Sequence, residues 1–284
     1  MRAFDLVGAG TLVRSLARWS RGVGKYGAIA RASLATQAVY LGEVAARTLF
    51  LAMILFIFLS LWQVTYAALG ATAIAGLSLG QMVWYLLMTE VIVISRPRFT
   101  REIDAEVRSG DIAYQLTRPY SYVGYRLGHH LGDRLLRLGL GFATGVPLAL
   151  LYVGPIAIDP VAAAIALAVL ACGLLIDFAI SMAIGLCAFW VEDTAPFSLL
   201  YDRLLMLLGG LILPIDLFPE LVARVVAYLP FPLLLYAPAR LIVTGDLGSI
   251  GTMSVQLVVT ATVALWVLGV LFAVATRRLV ANGG

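Results

Sequence analysis

Apolar runs of roughly the ~20 residues needed to cross a bilayer recur along this chain, and they limit its fold more than any other feature. They cover Thr48–Leu69, Ile74–Ser95, Leu135–Val153, Val161–Trp190, Leu199–Leu213 and Met253–Ala275. Backbone inside hydrocarbon finds no water to bond, so such runs must satisfy themselves as helices. The fourth, at roughly 45 Å if fully helical, exceeds the hydrocarbon layer and must tilt or protrude. With 62% hydrophobic and 13% charged residues over 284 positions, a soluble domain of this size is excluded. The expected fold class is an all-α integral membrane protein with six transmembrane helices, forming one membrane domain over residues 48–284.

The basic residues orient those crossings. With six of them, both termini, the Arg96–Arg137 segment and the loop before the fifth run share one side, and only Arg224 and Arg240 fall on the other. Lys and Arg are retained on the cytoplasmic side, which places the termini and the long segment there. The 20 basic and 16 acidic residues mostly flank apolar runs, so their balance does not point to nucleic acid. The Met-Arg start lacks the apolar core and small-residue cleavage site of a signal peptide, so the first crossing is expected to stay in the mature protein.

Residues 1–47 precede the membrane domain. Within them Leu12, Leu16, Trp19, Val23 and Tyr26 share one helical face, opposite Arg14, Arg18, Arg21 and Lys25. This pattern suits a helix lying in the membrane interface, apolar face down and basic face toward anionic headgroups. Gly22 and Gly24 weigh against a rigid helix, and a solvated helix packed on a partner is the other reading.

The Arg96–Arg137 segment, with residues 96–134 as its core, is far longer than a plain connection needs. Pro97 suits the first turn of a helix, and Gly110 suits its left-handed end. Between them Phe99, Ile103 and Val107 form an apolar stripe, Glu102 and Glu106 an acidic one, and Asp104 precedes Arg108 by one turn. Asp111 is placed to cap a second short helix over 112–117, stopped by Pro119, and Ser121 to cap a third that runs into the next crossing. Arg134 and Arg137, at the entrance of that crossing, are read as snorkelling to the interface, with a bend at Pro147.

Residues 214–250 are a different kind of segment. Pro214, Pro219, Pro230, Pro232 and Pro238 cut apolar sequence into pieces too short to cross. Such pieces beside crossings read as re-entrant or interfacial helices, here a lid on the outer face, with Leu221, Val222, Val225, Val226 and Leu229 as one apolar face.

Catalytic signatures are absent. No G-x-x-x-x-G-K-[ST] loop occurs, His129 and His130 point to different sides of a helix and make a poor metal pair, and no Ser/His/Asp set or HExxH is present. Cys172 and Cys187 lie on one expected helix, roughly 22 Å apart, too far to bridge. Asp177 is the one acid deep within a run. Gly173, Asp177, Ser181 and Gly185 step along that helix every four residues as a ridge another helix could approach. The acid is read first as neutral and hydrogen-bonded to Ser181 at a helix contact, and alternatively as a pathway or proton-linked carboxyl group. Glu90 is expected near the cytoplasmic boundary, solvated or paired with an arginine, and Gln81 and Gln256 as interhelical hydrogen-bond donors or, for Gln81, as lining a pathway.

The run Glu106-Val-Arg-Ser-Gly-Asp-Ile-Ala-Tyr-Gln-Leu-Thr-Arg-Pro119 resembles the cytoplasmic loop after the second crossing in type-2 ATP-binding-cassette permeases. The pattern there is Ile-x-x-Gly-x-x-x-x-x-Leu-x-x-Pro, with Val107 here replacing the isoleucine. Ala188-Phe189-Trp190, Leu229-Pro230-Phe231, Tyr236-Ala237-Pro238 and the terminal Gly283-Gly284 agree in the same order. The resemblance implies an exporter half with an N-terminal interfacial helix, in the cytoplasmic membrane of a prokaryote. It implies a coupling segment (Phe99, Glu102, Ile103, Glu106, Val107, Gly110, Asp111, Arg118 and Pro119) that docks into a separate ATPase subunit. ATP and Mg would sit on that ATPase, with no cofactor on this chain, and a second permease copy or paralogue would complete the pathway. The expected cargo is a drug-like compound, a lipid or another amphipathic molecule, and no residue here selects among them. A proton-coupled secondary carrier using Asp177 and a non-transporting scaffold are the alternatives, although carriers usually break their helices near the midplane.

Overall fold

The computed structural model describes residues 41–283, so the amphipathic stretch Leu12–Tyr26 and the final Gly284 lie outside them. The described residues form helices joined by turns and short irregular connections: α1 Leu41–Leu69, α2 Leu79–Ile94, α3 Phe99–Ser109, α4 Asp111–Leu116, α5 Tyr122–Val153, α6 Pro160–Leu186, α7 Ala195–Leu208, α8 Glu220–Ala227, α9 Phe231–Leu234, α10 Tyr236–Thr244 and α11 Ile250–Gly283. Among the described residues four stretches are long and apolar enough to cross a membrane: Thr48–Leu69, Tyr122–Val153, Pro160–Phe189 and Ile250–Arg278.

The second and fifth apolar runs form shorter helices than a full crossing, α2 with 16 residues and α7 with 14. Local chemistry sets both limits. Ile74 and Leu77 exchange backbone hydrogen bonds of 2.9 and 3.0 Å across a tight turn whose centre, Ala75 and Gly76, has φ of 55° and 72°. Ser78 and Gln81 then close a reciprocal capping box, so α2 begins at Leu79 rather than Ile74. At the other helix Gly210, with φ of 82°, turns the chain away after Leu208.

α2 is the centre of the bundle. Every residue from Met82 to Ile92 is buried, as expected of a helix apolar all round. Glu90 shares that burial at 5% exposed and forms no ion pair among the described residues, so it is not the solvated or arginine-paired acid read from its position. α1, α5 and α10 enclose α2. Lipid is as apolar as leucine, so these helices are held by close fit rather than by escape from water. Glycines allow that fit on α5: a Cβ at Gly141 would lie 2.8 Å from a Val91 methyl, and one at Gly145 would overlap Leu87.

α6 is the second hub, packed by α11, α10 and α3. Asp159 caps it, accepting from the Val161 N–H at 3.0 Å, and Pro160 follows in the first turn, where its missing N–H costs nothing. α5 runs unbroken through Pro147. The proline-cut region splits in two: α9 and α10 are buried against α6, whereas α8 exposes Leu221, Val222 and Val225. Pro214, Pro232 and Pro238 are buried, Pro219 precedes α8, and Pro230 precedes α9. Gln81 and Gln256 tie into this region: the Gln81 amide donates to Val243 O at 2.9 Å, and the Gln256 amide reaches Ala227 O. Gln81 therefore serves the start of α2 and its contact with α10.

Candidate functional site

The polar segment folds as three successive helical pieces, with small differences at their ends. α3 starts at Phe99, two residues after Pro97, and stops at Gly110, whose φ of 80° is the left-handed end expected. Gly110 also precedes α4, so Asp111 is the first residue of that helix rather than its cap, and it accepts from the Ser109 hydroxyl at 2.8 Å. Ser121 caps α5, accepting from the Gly124 N–H at 3.3 Å. Asp104 pairs with Arg108 at 2.8 Å, the one-turn spacing favoured on a helix.

What holds α3 is a stripe on α5. Tyr122, Arg126, His130 and Arg134 recur every four residues and are all buried. The Tyr122 hydroxyl donates to Glu106 at 2.6 Å; Arg126 Nε donates to the same carboxylate at 3.1 Å and Arg126 Nη1 to Glu102 at 3.4 Å. Glu106 is thus engaged within the chain, whereas the Glu102 side chain, with its one contact at 3.4 Å, stays 43% exposed. Burial raises the Glu102 carboxyl above its ordinary range, an effect Arg126 only partly offsets. On the apolar stripe Phe99 and Ile103 are buried and Val107 is half-buried, packed with Phe178, Ala179, Met182 and Leu186 of α6. The His130 ring stands edge-on to Phe99 at 4.8 Å.

The small-residue ridge of α6 receives two of the shorter helices. A Cβ at Gly185 would fall 2.7 Å from Ile103 and 3.2 Å from the Thr100 carbonyl, so α3 presses directly on that glycine. Ser181, one turn earlier, is buried, and its carbonyl accepts from the Thr100 hydroxyl at 3.4 Å. At the far end Gly173 faces the Leu233 carbonyl of α9, 3.3 Å from where a Cβ would sit.

Between these contacts lies Asp177, and it is not bonded to Ser181 as a neutral acid. Arg134 of α5 ion-pairs with it, Arg96 reaches it through Nη2 at 3.1 Å and Nε at 3.3 Å, and the Tyr201 hydroxyl of α7 donates to it at 2.6 Å. Arg134 is 2% exposed and does not snorkel; its second contact is the Ile92 carbonyl at 3.3 Å. A carboxylate facing two guanidinium groups keeps its charge because the low-dielectric surroundings strengthen the attraction that offsets desolvation. Arg96, in the α2–α3 connection, also pairs with Asp202 and lies 4.8 Å over the Tyr201 ring. Burial pushes the Arg96 guanidinium down, but Asp177 and Asp202 outweigh this and hold it above the ordinary arginine value. Arg137 pairs with Asp133 at 3.1 Å.

Three helices, α5, α6 and α7, therefore converge on one ionic cluster, and the α2–α3 connection is a further member of it. α3 is thus tied to α6 by packing and to α5 by ion pairs, and the connection that precedes it is paired through Arg96 with Asp202 of α7. The outer tip is different: Arg108, Gly110, Asp111, Tyr114, Arg118 and Pro119 are exposed. Arg118 there donates to the Tyr120 hydroxyl at 2.8 Å and sits 5.1 Å over the Tyr114 ring, an aromatic–cationic patch. Sequence reasoning singled out Asp177 but missed Arg96, Arg126, Arg134, Tyr201 and Tyr114. The four-residue spacing of Tyr122, Arg126, His130 and Arg134 was a legible sign of a buried polar face. Nothing local linked Tyr201 or Arg96 to Asp177.

No curated protein matches this sequence closely enough to indicate kinship. The pattern of a protein family, however, matches residues 49–283, from the first crossing to the end of α11, and its description is ABC-2 family transporter protein. With that match spanning most of the chain and the membrane-crossing helices that accompany it, the chain belongs to the ABC-2 transporter family as a multi-pass membrane permease.

Proposed function

We propose that this chain is the permease subunit of an ATP-driven exporter, crossing the membrane six times with α2 and α7 as the short second and fifth crossings. Its termini and the Arg96–Arg137 segment face the cytoplasm, where the basic residues concentrate. A separate ATPase carries ATP and Mg and docks on the α3–α4 tip, and a second permease completes the pathway in the cytoplasmic membrane of a prokaryote. The cargo fits the class of drug-like, lipid or other amphipathic molecules. α8–α10 form the outer re-entrant segment.

The observation that carries this reading is the division of labour within the polar segment. α3 is bound to the bundle on both its apolar and its acidic stripes, while the tip beyond Arg108 remains exposed. A segment so arranged suits the transfer of a push from a partner at the tip to Asp177. Asp177, engaged by two arginines, fits a structural role better than a proton-coupling one.

The test is coexpression with any P-loop ATPase that a neighbouring reading frame encodes. The purified permease alone should not hydrolyse ATP, and the ATPase should copurify with it. Tyr114→Ala combined with Arg118→Ala should reduce copurification and transport while the permease remains folded. Hydrolysis by the isolated chain, or full assembly and transport in the double variant, would refute this docking arrangement.

A further inference from the structure

Beneath α3 the bundle holds a cavity of about 350 Å³, within the usual size range for small-ligand sites. Its wall comes from the α2–α3 connection, the start of α3, α5, α6 and α7. Four arginines line it, Arg96, Arg98, Arg101 and Arg134, against two aspartates, Asp177 and Asp202. The acids are taken up by Arg96 and Arg134. Arg98 and Arg101 are exposed and form no ion pair among the described residues, so the cavity carries an excess of positive charge at its rim. Deeper in the wall, His130 is 1% exposed and neither ring nitrogen has a hydrogen-bond partner among the described residues; Arg134 Nε has none either. Buried polar atoms without partners are costly, and a polar ligand is one way in which such a site is completed.

The rest of the lining mixes the hydroxyl side chains of Thr100, Ser181 and Ser198 with apolar ones. Val93, Leu199 and Met206 line the same cavity, and Leu199 is 56% exposed on α7. The cavity therefore joins a basic rim to an apolar surface beside the membrane-crossing helices. We infer that this cavity binds a phosphate group, gripped at the rim by Arg98 and Arg101. Arginine forks match phosphate oxygens bidentately, which a carboxylate-saturated pair such as Arg96–Asp202 no longer offers. The phosphate is either carried on an anionic lipid, whose acyl chains run along α7, or free in solution.

The inference concerns binding by this chain alone and does not require the exporter reading. The full-length protein in neutral detergent is titrated with phosphatidic acid, with diacylglycerol as its phosphate-free counterpart, and separately with inorganic phosphate, by native mass spectrometry and calorimetry. Phosphatidic acid is expected to bind and diacylglycerol not to. Binding of inorganic phosphate as well assigns the site to phosphate irrespective of its carrier, and its absence assigns the site to the lipid form. Arg98→Gln with Arg101→Gln should weaken binding by about tenfold or more, the loss expected for charge-assisted hydrogen bonds. Ser198→Trp, which fills the cavity at unchanged charge, should weaken it too, whereas Arg203→Gln with Arg277→Gln, exposed charges outside the cavity, should not. Equal binding of diacylglycerol, no binding of either phosphate probe, wild-type affinity in the Arg98/Arg101 or Ser198 variant, or an equal loss in the Arg203/Arg277 control would overturn the assignment.

Discussion

Replacing Asp177 by asparagine keeps the shape of the side chain and removes its charge, and the structure predicts that this is severely destabilising. Three groups donate to Asp177: Arg96, Arg134 and Tyr201. Arg96 keeps Asp202 as a partner in the variant, and Tyr201 can still bond the amide oxygen. Arg134 cannot be compensated. At 2% exposed, it would be left with the Ile92 carbonyl at 3.3 Å as its remaining acceptor. Breaking a buried pair in this way costs about 3–5 kcal/mol, because the charge left behind is neither solvated nor neutralised. Removing both charges should be far milder, so Asp177→Leu with Arg134→Met is expected within about 2 kcal/mol of wild type, or more stable. The assay is reversible unfolding in mixed micelles with added SDS, followed by tryptophan fluorescence, for wild type, each single variant and the pair. An Asp177→Asn variant within about 1 kcal/mol of wild type, the range of ordinary substitutions, would refute the argument. So would a double variant no more stable than Asp177→Asn. A different outcome, normal stability, assembly and ATP hydrolysis with transport lost, would move the carboxylate into the transport pathway.

Gly185→Val should force α3 off α6, since even a Cβ meets Ile103 at 2.7 Å; a loss of about 1–3 kcal/mol is expected, with faster hydrogen exchange across Phe99–Ser109. Unchanged exchange there would mean α3 is not seated on that glycine. Among the acids of α3, Glu106→Gln should loosen the helix more than Glu102→Gln, because the Glu106 side chain is 20% exposed and doubly bonded whereas Glu102 is 43% exposed with one contact at 3.4 Å. Equal effects in the same exchange measurement would contradict that ranking. On the opposite end of the bundle, cysteine in place of Arg224, which is exposed on α8, should react with an impermeant thiol reagent added outside cells; labelling only from the cytoplasm would reverse the proposed orientation. Finally, Tyr85→Phe removes a buried hydroxyl that donates to Gly210 O at 2.6 Å and should cost about 1 kcal/mol in the unfolding assay, with no change indicating that this tie between α2 and the end of α7 is idle.

Much of this architecture is written locally and was legible for that reason. Hydropathy marks Thr48–Leu69 and Pro160–Phe189 as crossings because each residue's preference for lipid is nearly independent of its neighbours. The left-handed end at Gly110, the Ser121 cap and the Asp104–Arg108 pair depend on residues at most four apart, and the apolar stripe of Phe99 and Ile103 on helical period alone. Failures occurred where a side chain's role depends on what another helix brings to it. Arg134 at the mouth of a crossing reads as snorkelling until α6 places Asp177, 43 residues away in sequence, against it. Glu106 reads as a free acid until α5 turns Tyr122 and Arg126 onto it. Asp177 reads as a neutral acid beside Ser181 because the α2–α3 connection and α7, which supply Arg96 and Tyr201, are remote in the chain. The sequence by itself determined which stretches are helical and which faces are apolar, since these follow from backbone propensity and side-chain solvation, although the ends of α2, α4 and α7 fell elsewhere than hydropathy placed them. Only the tertiary structure decided the charge partners between helices, because attraction between ions depends on distance and burial, and across helices both are set by packing rather than by spacing along the chain.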